Sequence, residues 1–402
     1  MSLKGKHIVL GVTGGIAAYK ACDIASRLRK KGAFVHVIMT EHACEFVRPL
    51  TFETLTNEPV VTDMFRRDKP WEVEHVSLAK LADLFIIAPA TANIMAKTAA
   101  GIADDMLSTT ILAARCPILF APAMNSAMWL NPVTQRNLSL LKDMGFRFVG
   151  PASGNLACGD QGVGRMSEPE DIVFSAEMML TDKDLSGLKI VVTAGPTREM
   201  LDPVRFLSNR STGKMGYAIA ERALMRGADV TLITGPSALT VPDGVRVIPV
   251  LSSEDLWKAA VSESKKADIL IQAAAPADYT PETYSEQKIK KTDDQLFLKL
   301  KRTEDIAAAC GAEKRSDQVF IGFAAETEHL LDNALGKLTK KNLDLIALND
   351  VSRTDAGFEV DHNQLTLISR DHRSELPLLT KKDAADELLN AARKCHESKN
   401  GQ

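Results

Sequence analysis

The feature that most constrains this 402-residue chain is a scheme it uses twice: apolar strand, small-residue turn, amphipathic helix, second strand. It opens with "KHIVLGVTGGIAAYKACDIASRLRKKGAFVHVIMT". His7–Val12 reads as a buried strand and Thr13–Gly15 as a turn. Ala17, Ala21, Ile24 and Leu28 then fall on one helical face until Gly32, and Phe34–Met39 is the next strand. The second copy runs "LKIVVTAGPTRE", "STGKMGYAIAERALMRG", "ADVTLITGP", its helix stopped at Gly227. "ADLFIIAPATAN" (82–93) is echoed by "ADILIQAAAPAD" (267–278). These units predict an α/β fold of two Rossmann-like, doubly wound parallel-sheet domains, with ligands at strand C-termini. The polar stretch 181–187, "TDKDLSG", reads as the linker, giving domains 1–187 and 188–402. A single large sheet is disfavoured because a fresh first strand starts at Leu188.

Neither glycine turn is GxGxxG, and the second strand of each unit ends in Thr (Thr40, Thr234), not in the acidic residue that grips a ribose. A generic NAD-dependent oxidoreductase is therefore disfavoured. A glycine turn with Thr13 and Thr40 suits a mononucleotide phosphate on a helix N-terminus, although glycine often serves turn geometry alone. The formal net charge of −3 gives no field favouring nucleic acid or membrane. Six cysteines without CxxC spacing and eight histidines without HExxH argue against a structural zinc or a disulfide framework and fit a reducing cytoplasm. No apolar run reaches spanning length, and Met1–Lys6 leads straight into a strand pattern without a signal peptide.

Four stretches of the first half are richer than folding demands. His75 stands in "VEHVSLAK"; alone, a histidine is more often a surface or core residue than a catalyst. "APATAN" puts Thr91 and Asn93 at a strand end, where an Asx turn explains Asn93 equally well. In "PAMNSAMW", Asn125 sits among Met124, Met128 and Trp129, an apolar surround that demands partners for its amide. In "ACGDQGVGRM" (157–166), three glycines flank Cys158; the stretch reads as a mobile loop whose thiol is either a proton donor or a small hydrophobe.

His75, Asn125 and Cys158 in these settings resemble the signature of flavin-dependent cysteine decarboxylases. "TAGPTRE", "DPVRFLSNRSTGKMG", "KIKK" and "GFAAET" resemble phosphopantothenate–cysteine ligases. In this order, over essentially the whole chain, they resemble the bifunctional decarboxylase–ligase family of coenzyme A biosynthesis. The resemblance implies FMN in the first domain, held by Thr13, Gly14, Gly15, Ile16, Thr40, Pro89, Ala90, Thr91, Asn93, Ser108 and Thr109. It implies decarboxylation of 4′-phosphopantothenoylcysteine to 4′-phosphopantetheine, the flavin oxidising the thiol to supply an electron sink. Cys158 would be the proton donor, His75 would assist the early proton and hydride step, and Asn125 would hold the substrate carboxylate in a dry surround.

For the second domain the resemblance implies ligation of 4′-phosphopantothenate to cysteine with CTP, through an acyl-cytidylate, releasing pyrophosphate and CMP. Lys288, Lys290 and Lys291 would meet the triphosphate, with Lys337 and Lys341; standing alone, "KIKK" reads as a lysine-protected strand edge. Arg205 and Asn209 would sit near the reacting carboxylate, Asn209 stabilising the charge of the intermediate. Asp278 would meet the cytidine or its ribose and Phe323 the base, with Ala273, Ala274, Ala275, Glu304, Asp305 and Ile306 completing the substrate site. Mg2+ would be held mainly by the phosphates. Two departures stand out: Pro276 where the family often has Val, and "RTEDI" (302–306) where an Asn-Pro-Asp-Ile turn is common.

Two rival readings are a monofunctional flavin decarboxylase with an inert second domain and a non-catalytic regulatory subunit. The ligase-like motifs oppose the first. The short mixed tail "AARKCHESKNGQ" opposes the second, whose relatives tend to carry acidic tails. The partners expected are small molecules and further copies of this chain, with trimeric flavin domains and dimeric ligase domains combining as a dodecamer by resemblance.

Overall fold

The computed structural model describes residues 3–65, 73–155, 161–290, 296–326, 330–350 and 362–401. The chain divides into two compact units, Met1–Thr181 and Asp182–Gln402.

The first unit runs β1 (His7–Val12), α1 (Ala18–Lys30), β2 (Phe34–Met39), α2 (Glu41–Cys44), α3 (Pro49–Thr56), α4 (Glu74–Leu81), β3 (Leu84–Ala90), α5 (Ala92–Ala100) and α6 (Met106–Ala113). It continues with β4 (Ile118–Pro122), α7 (Ser126–Leu130), α8 (Pro132–Asp143), β5 (Arg147–Phe148), β6 (Ala152–Asn155), β7 (Gln161–Arg165) and α9 (Pro169–Leu180). Its parallel sheet has the order β2-β1-β3-β4-β5, a doubly wound arrangement whose strand order reverses at β1/β3. β3 is buried at every position because helices cover both faces. Ala21, Ile24 and Leu28 of α1 are fully buried, as the helical spacing requires, and Gly32 turns the chain at φ +91°.

One expectation fails here. Residues 161–165 are not a mobile loop but the strand β7, paired antiparallel with β6. Its glycines meet a crowded neighbour. A Cβ on Gly162 would lie 2.4 Å from Ser126 Oγ, and one on Gly164, at φ +148°, would lie 2.2 Å from the Met124 carbonyl oxygen. Glycine here permits close approach rather than motion. Cys158 lies outside the described residues.

The second unit runs β8 (Lys189–Ala194), β9 (Arg198–Met200), β10 (Phe206–Ser208), α10 (Lys214–Met225), β11 (Asp229–Thr234), β12 (Arg246–Pro249), α11 (Ser253–Ser264), β13 (Ile269–Gln272), β14 (Tyr279–Pro281) and β15 (Leu300–Arg302). Then follow α12 (Ile306–Ala312), β16 (Val319–Glu326), α13 (Leu330–Lys340), β17 (Leu345–Asp350), β18 (His362–Asn363), β19 (Leu365–Ile368), β20 (Arg373–Glu375), β21 (Leu379–Thr380) and α14 (Lys381–Asn400). The sheet order is β12-β11-β8-β13-β16-β17-β19-β20, parallel as far as β17 and antiparallel beyond. Its order reverses at β8/β13. One face packs on α10 and α14, the other on α11, α12 and α13. The stretch 182–187 is not a free tether. Leu185 is fully buried in this unit's core, and Asp184 accepts two hydrogen bonds from Arg226, at 2.8 and 2.6 Å.

Candidate functional site

In the first unit a cavity of about 640 Å3 opens at the β1/β3 reversal. Gly14, Gly15, Ile16 and Ala17 form one wall where α1 begins, with no acidic residue in the helix's first turn. A Cβ on Gly14 would strike His42 Cβ at 2.4 Å, whereas Gly15 meets only Thr91 Cγ2, at 3.6 Å. Thr91, Met124, Asn125, Met128, Arg165 and Met166 line the rest. Lys20 also reaches the wall and pairs with Glu168 at 2.9 Å, and that ammonium holds the Glu168 carboxyl below its usual range.

Thr13 lies behind the wall. Its buried hydroxyl donates to Pro89 O at 2.7 Å and accepts from Thr91 N at 3.3 Å, stitching β1 to the turn after β3. Thr40 caps α2 by accepting from Ala43 N at 3.3 Å. Pro89 and Ala90 belong to buried β3, and Asn93 is exposed in the first turn of α5. Ser108 completes a capping box with Asp105 at the start of α6, next to Thr109. His75, on α4, is half-buried. Apart from Thr91, none of these is in the cavity wall of the single chain.

Asn125 caps the short helix α7: its Oδ1 accepts from Ala127 N at 2.8 Å, so its Nδ2 is the donating end. Of its expected surround, Met124 and Trp129 pack against the core, while Met128 is 50% exposed because the five-residue α7 lies on the unit's surface with no buried residue. Met124 N donates to Gly164 O at 2.9 Å, which fastens this loop to β7.

In the second unit a cavity of about 780 Å3 spans the C-terminal ends of β8, β13, β16 and β17. It gathers Asn209, Ala273, Ala274, Ala275, Asp278, Glu304, Asp305, Ile306, Phe323, Lys337 and Lys341, all expected. Asn209 Nδ2 donates to Ala275 O (3.2 Å) and Pro276 O (2.9 Å), clasping the Ala/Pro turn. That turn is also tied to the β8 loop, by Ala274 N to Thr193 Oγ1 (3.1 Å) and Ala277 N to Thr197 Oγ1 (3.0 Å). Asp305 caps α12 and pairs with Lys341 at 3.0 Å. Burial alone would raise its carboxyl, but the Ala308 N–H and Lys341 outweigh that and lower it.

Arg205 and Lys288 are not in this wall. Arg205 Nη2 donates to Ile289 O at 2.9 Å, and Ile289 N donates to Asp202 at 3.0 Å, so the "KIKK" stretch is held by the 202–205 turn. Lys288 and Lys290 are exposed on irregular chain, not on a strand edge, and Lys291 lies outside the described residues. Unanticipated wall residues include Thr193, Lys214, Gln272, Asn349, Asn363 and Lys381. Three of them carry buried polar atoms without a hydrogen-bond partner among the described residues: Gln272 Nε2, Asn349 Oδ1 and Asn363 Oδ1. For Asn349 a signal existed, since "LDLIALND" ends an apolar strand as the other site stretches do.

Comparison with known proteins meets this geometry. The Flavoprotein family matches residues 1–180, and the DNA/pantothenate metabolism flavoprotein C-terminal domain matches 185–395. The fold and sites thus define a two-domain enzyme, a flavoprotein domain ahead of a pantothenate-metabolism domain. The chain is 50% identical over 392 residues to the coenzyme A biosynthesis bifunctional protein CoaBC of Bacillus subtilis, covering 96% of each chain. It is 44% identical over 404 residues to the protein of the same name from Escherichia coli, covering 100% of each. A solved C-terminal domain of such a protein is 40% identical, covering 54% of this chain and 100% of its own, with a TM-score of 0.47. The chain belongs to the bifunctional coenzyme A biosynthesis family. With both domains present, the single-activity alternative gives way to the bifunctional reading.

Proposed function

We propose that the first unit, residues 1–181, decarboxylates 4′-phosphopantothenoylcysteine with FMN and that the second, residues 182–402, makes that compound from 4′-phosphopantothenate, cysteine and CTP. The observation that carries the reading is the second cavity, where Asn209, Asp278, Phe323, Lys337 and Lys341 converge. Four lysines (Lys214, Lys337, Lys341 and Lys381) and Arg302 line that wall with Asp278, Glu304 and Asp305, a cationic excess suited to a triphosphate. Mg2+ would be held by the nucleotide phosphates; among the described residues no cluster of His, Cys, Asp or Glu has a metal site's make-up. The Asn209 amide lies against the Ala275 and Pro276 carbonyls, where it would steady the charged acyl intermediate. Lys288 and Arg205 would act from the clasped 202–205 and 289 segment, Arg205 by positioning it.

The first cavity fits a flavin mononucleotide. Its volume lies within the roughly 300–1,000 Å3 usual for cofactor sites. Ile16, Met124, Met128 and Met166 offer apolar surface to a ring system, and the start of α1 with Lys20 and Arg165 suits a phosphate. Bound there, the flavin supplies the redox chemistry that makes loss of CO2 feasible. Asn125 Nδ2 would hold the substrate carboxylate, His75 would move the early proton, and Cys158 would deliver the last one. Thr13, Thr40, Pro89, Ala90, Thr91, Asn93, Ser108 and Thr109 would frame the flavin site. Several of them lie outside the single-chain wall, and exposed Ile16, Tyr19 and Met128 border it, which supports self-association that completes it. We place the enzyme in the cytoplasm. No described helix is long and apolar enough to cross a membrane.

Mass spectrometry of products from the full chain given 4′-phosphopantothenate, cysteine, CTP and Mg2+ tests the reading. Pyrophosphate, CMP and 4′-phosphopantetheine are expected together. Arrest at 4′-phosphopantothenoylcysteine would remove the decarboxylase, and absent CTP turnover would remove the ligase. Undiminished pantetheine output from Cys158→Ala would end its role as proton donor.

A further inference from the structure

We infer that Asn349 and Asn363 are specificity-determining residues of the ligase cavity, reading the neutral hydrogen-bond donors of the acid substrate. The inference rests on the ligase reading above. Asn349 and Asn363 are 7% and 3% exposed, both line the cavity, and the Oδ1 of each lacks a hydrogen-bond partner among the described residues. A buried acceptor left unpaired is unfavourable, and native proteins keep few of them.

Asn349 lies at the C-terminal end of β17 in the large sheet, and Asn363, in the small β18–β21 sheet, meets Met215 of α10, the helix that covers one face of that large sheet. Ala347 belongs to the core packed on α10 and α14, and strand alternation puts Asn349 on the same face. Register sets Asn349 opposite Leu365, two residues beyond Asn363. Asn363 Nδ2 lies 3.7 Å from Met215 Sδ in the first turn of α10, leaving its oxygen as the open pole of the amide. Lys337, Lys341 and Ile306 reach the cavity from α13, its end and α12, which pack on the opposite face. The cavity therefore has Lys337 and Lys341 on one side and the two amides, together with Lys214 and Lys381, on the other.

Charge selects the occupant. Lys214 and Lys381, which begin α10 and α14, line the amide side, and Lys381 is buried. Two cations disfavour an ammonium group there, so the donors that meet these oxygens belong to a neutral part of an anionic molecule. 4′-Phosphopantothenate has that make-up: a phosphate and a carboxylate separated by a secondary hydroxyl and an amide N–H. The two Oδ1 atoms accept from that hydroxyl and that N–H.

The test compares 4′-phosphopantothenate with its analogue lacking the secondary hydroxyl, in CTP-dependent ligation by the full-length wild type, Asn349→Leu and Asn363→Leu. Wild type should prefer the parent by about 10- to 100-fold in kcat/KM. In one variant that preference should shrink to about threefold or less, through KM for the acid, while KM for CTP holds. Equal use of both acids by wild type, or full preference in both variants, overturns the inference and leaves the ligase reading standing. Failure of wild type to ligate the parent acid overturns the ligase reading itself. If neither variant folds, the wild-type preference decides alone: a preference of about tenfold or more supports the inference and parity overturns it.

Discussion

Asp202 and Ile289 are joined by a hydrogen bond of 3.0 Å from the Ile289 N–H to the Asp202 carboxylate. The other carboxylate oxygen accepts from Val204 N and Arg205 N, each at 2.8 Å, and the side chain is fully buried. Burial alone would raise this carboxyl, but the three N–H groups outweigh it and hold it below its usual range. Asp202→Asn sets an NH2 group against backbone donors, so the 289 segment loses its anchor and Lys288 its placement. Ligase kcat/KM should fall by about tenfold or more, the equivalent of one lost hydrogen bond in the transition state. Decarboxylation, assayed in the same preparation on 4′-phosphopantothenoylcysteine, should stay at the wild-type rate.

Gly164→Ala should damage the first unit. The added Cβ meets the Met124 carbonyl oxygen at 2.2 Å on a backbone at φ +148°, and strain of this kind costs about 1–3 kcal/mol. Calorimetry should show a fall of several degrees in the transition of that unit, together with lower flavin absorbance per chain. An unchanged transition would mean that the β7 contact yields easily.

Asn125→Asp separates two jobs of one side chain. An aspartate still accepts from Ala127 N, so α7 keeps its cap. It loses the donating NH2 and places a negative charge where the substrate carboxylate is proposed to sit. Decarboxylase kcat/KM should drop by about 100-fold or more, with circular dichroism unaltered. Near-normal turnover would remove Asn125 from substrate binding.

The Asp184–Arg226 pair sets a pH dependence. The Arg226 hydrogen bonds lower the Asp184 carboxyl, against the opposing effect of burial. A lowered folded value means that the folded state binds this proton more weakly than the unfolded chain. The stabilisation is therefore complete above the unfolded carboxyl's range, near pH 4, and fades as pH falls through the lower folded value. Urea midpoints of wild type and Asp184→Asn should differ at pH 7 and converge toward pH 3.

The strands and helices were legible wherever one periodic face carried the signal: β1, α1 and α10 begin and end close to where their apolar spacing and glycines put them. Strand-end motifs also led to the cavity walls at Gly14–Ile16 and Ala273–Ala275. What stayed hidden depends on contacts distant in sequence. Gly162 and Gly164 read as flexibility because Ser126 and Met124 lie far away in the chain. Leu185 read as linker because Arg226 and its core neighbours come later. Thr13 promised a ligand hydroxyl, yet Pro89 and Thr91 engage it. Lys288 carries no cue that its segment is fastened to Asp202, and Asn363 sits in a two-residue strand too short to show a pattern.

The bond from Met124 N to Gly164 O has a consequence for how the first cavity can change over time. It makes the loop bearing Asn125 and the strand bearing Arg165 a single mechanical piece, wedged too tightly for either to slide past the other. A lineage that altered this cavity's taste in substrates would keep the backbone of both walls and exchange side chains at Met124, Met128 or Met166. Variation among such enzymes should therefore gather at those methionines and leave Gly162 and Gly164 alone.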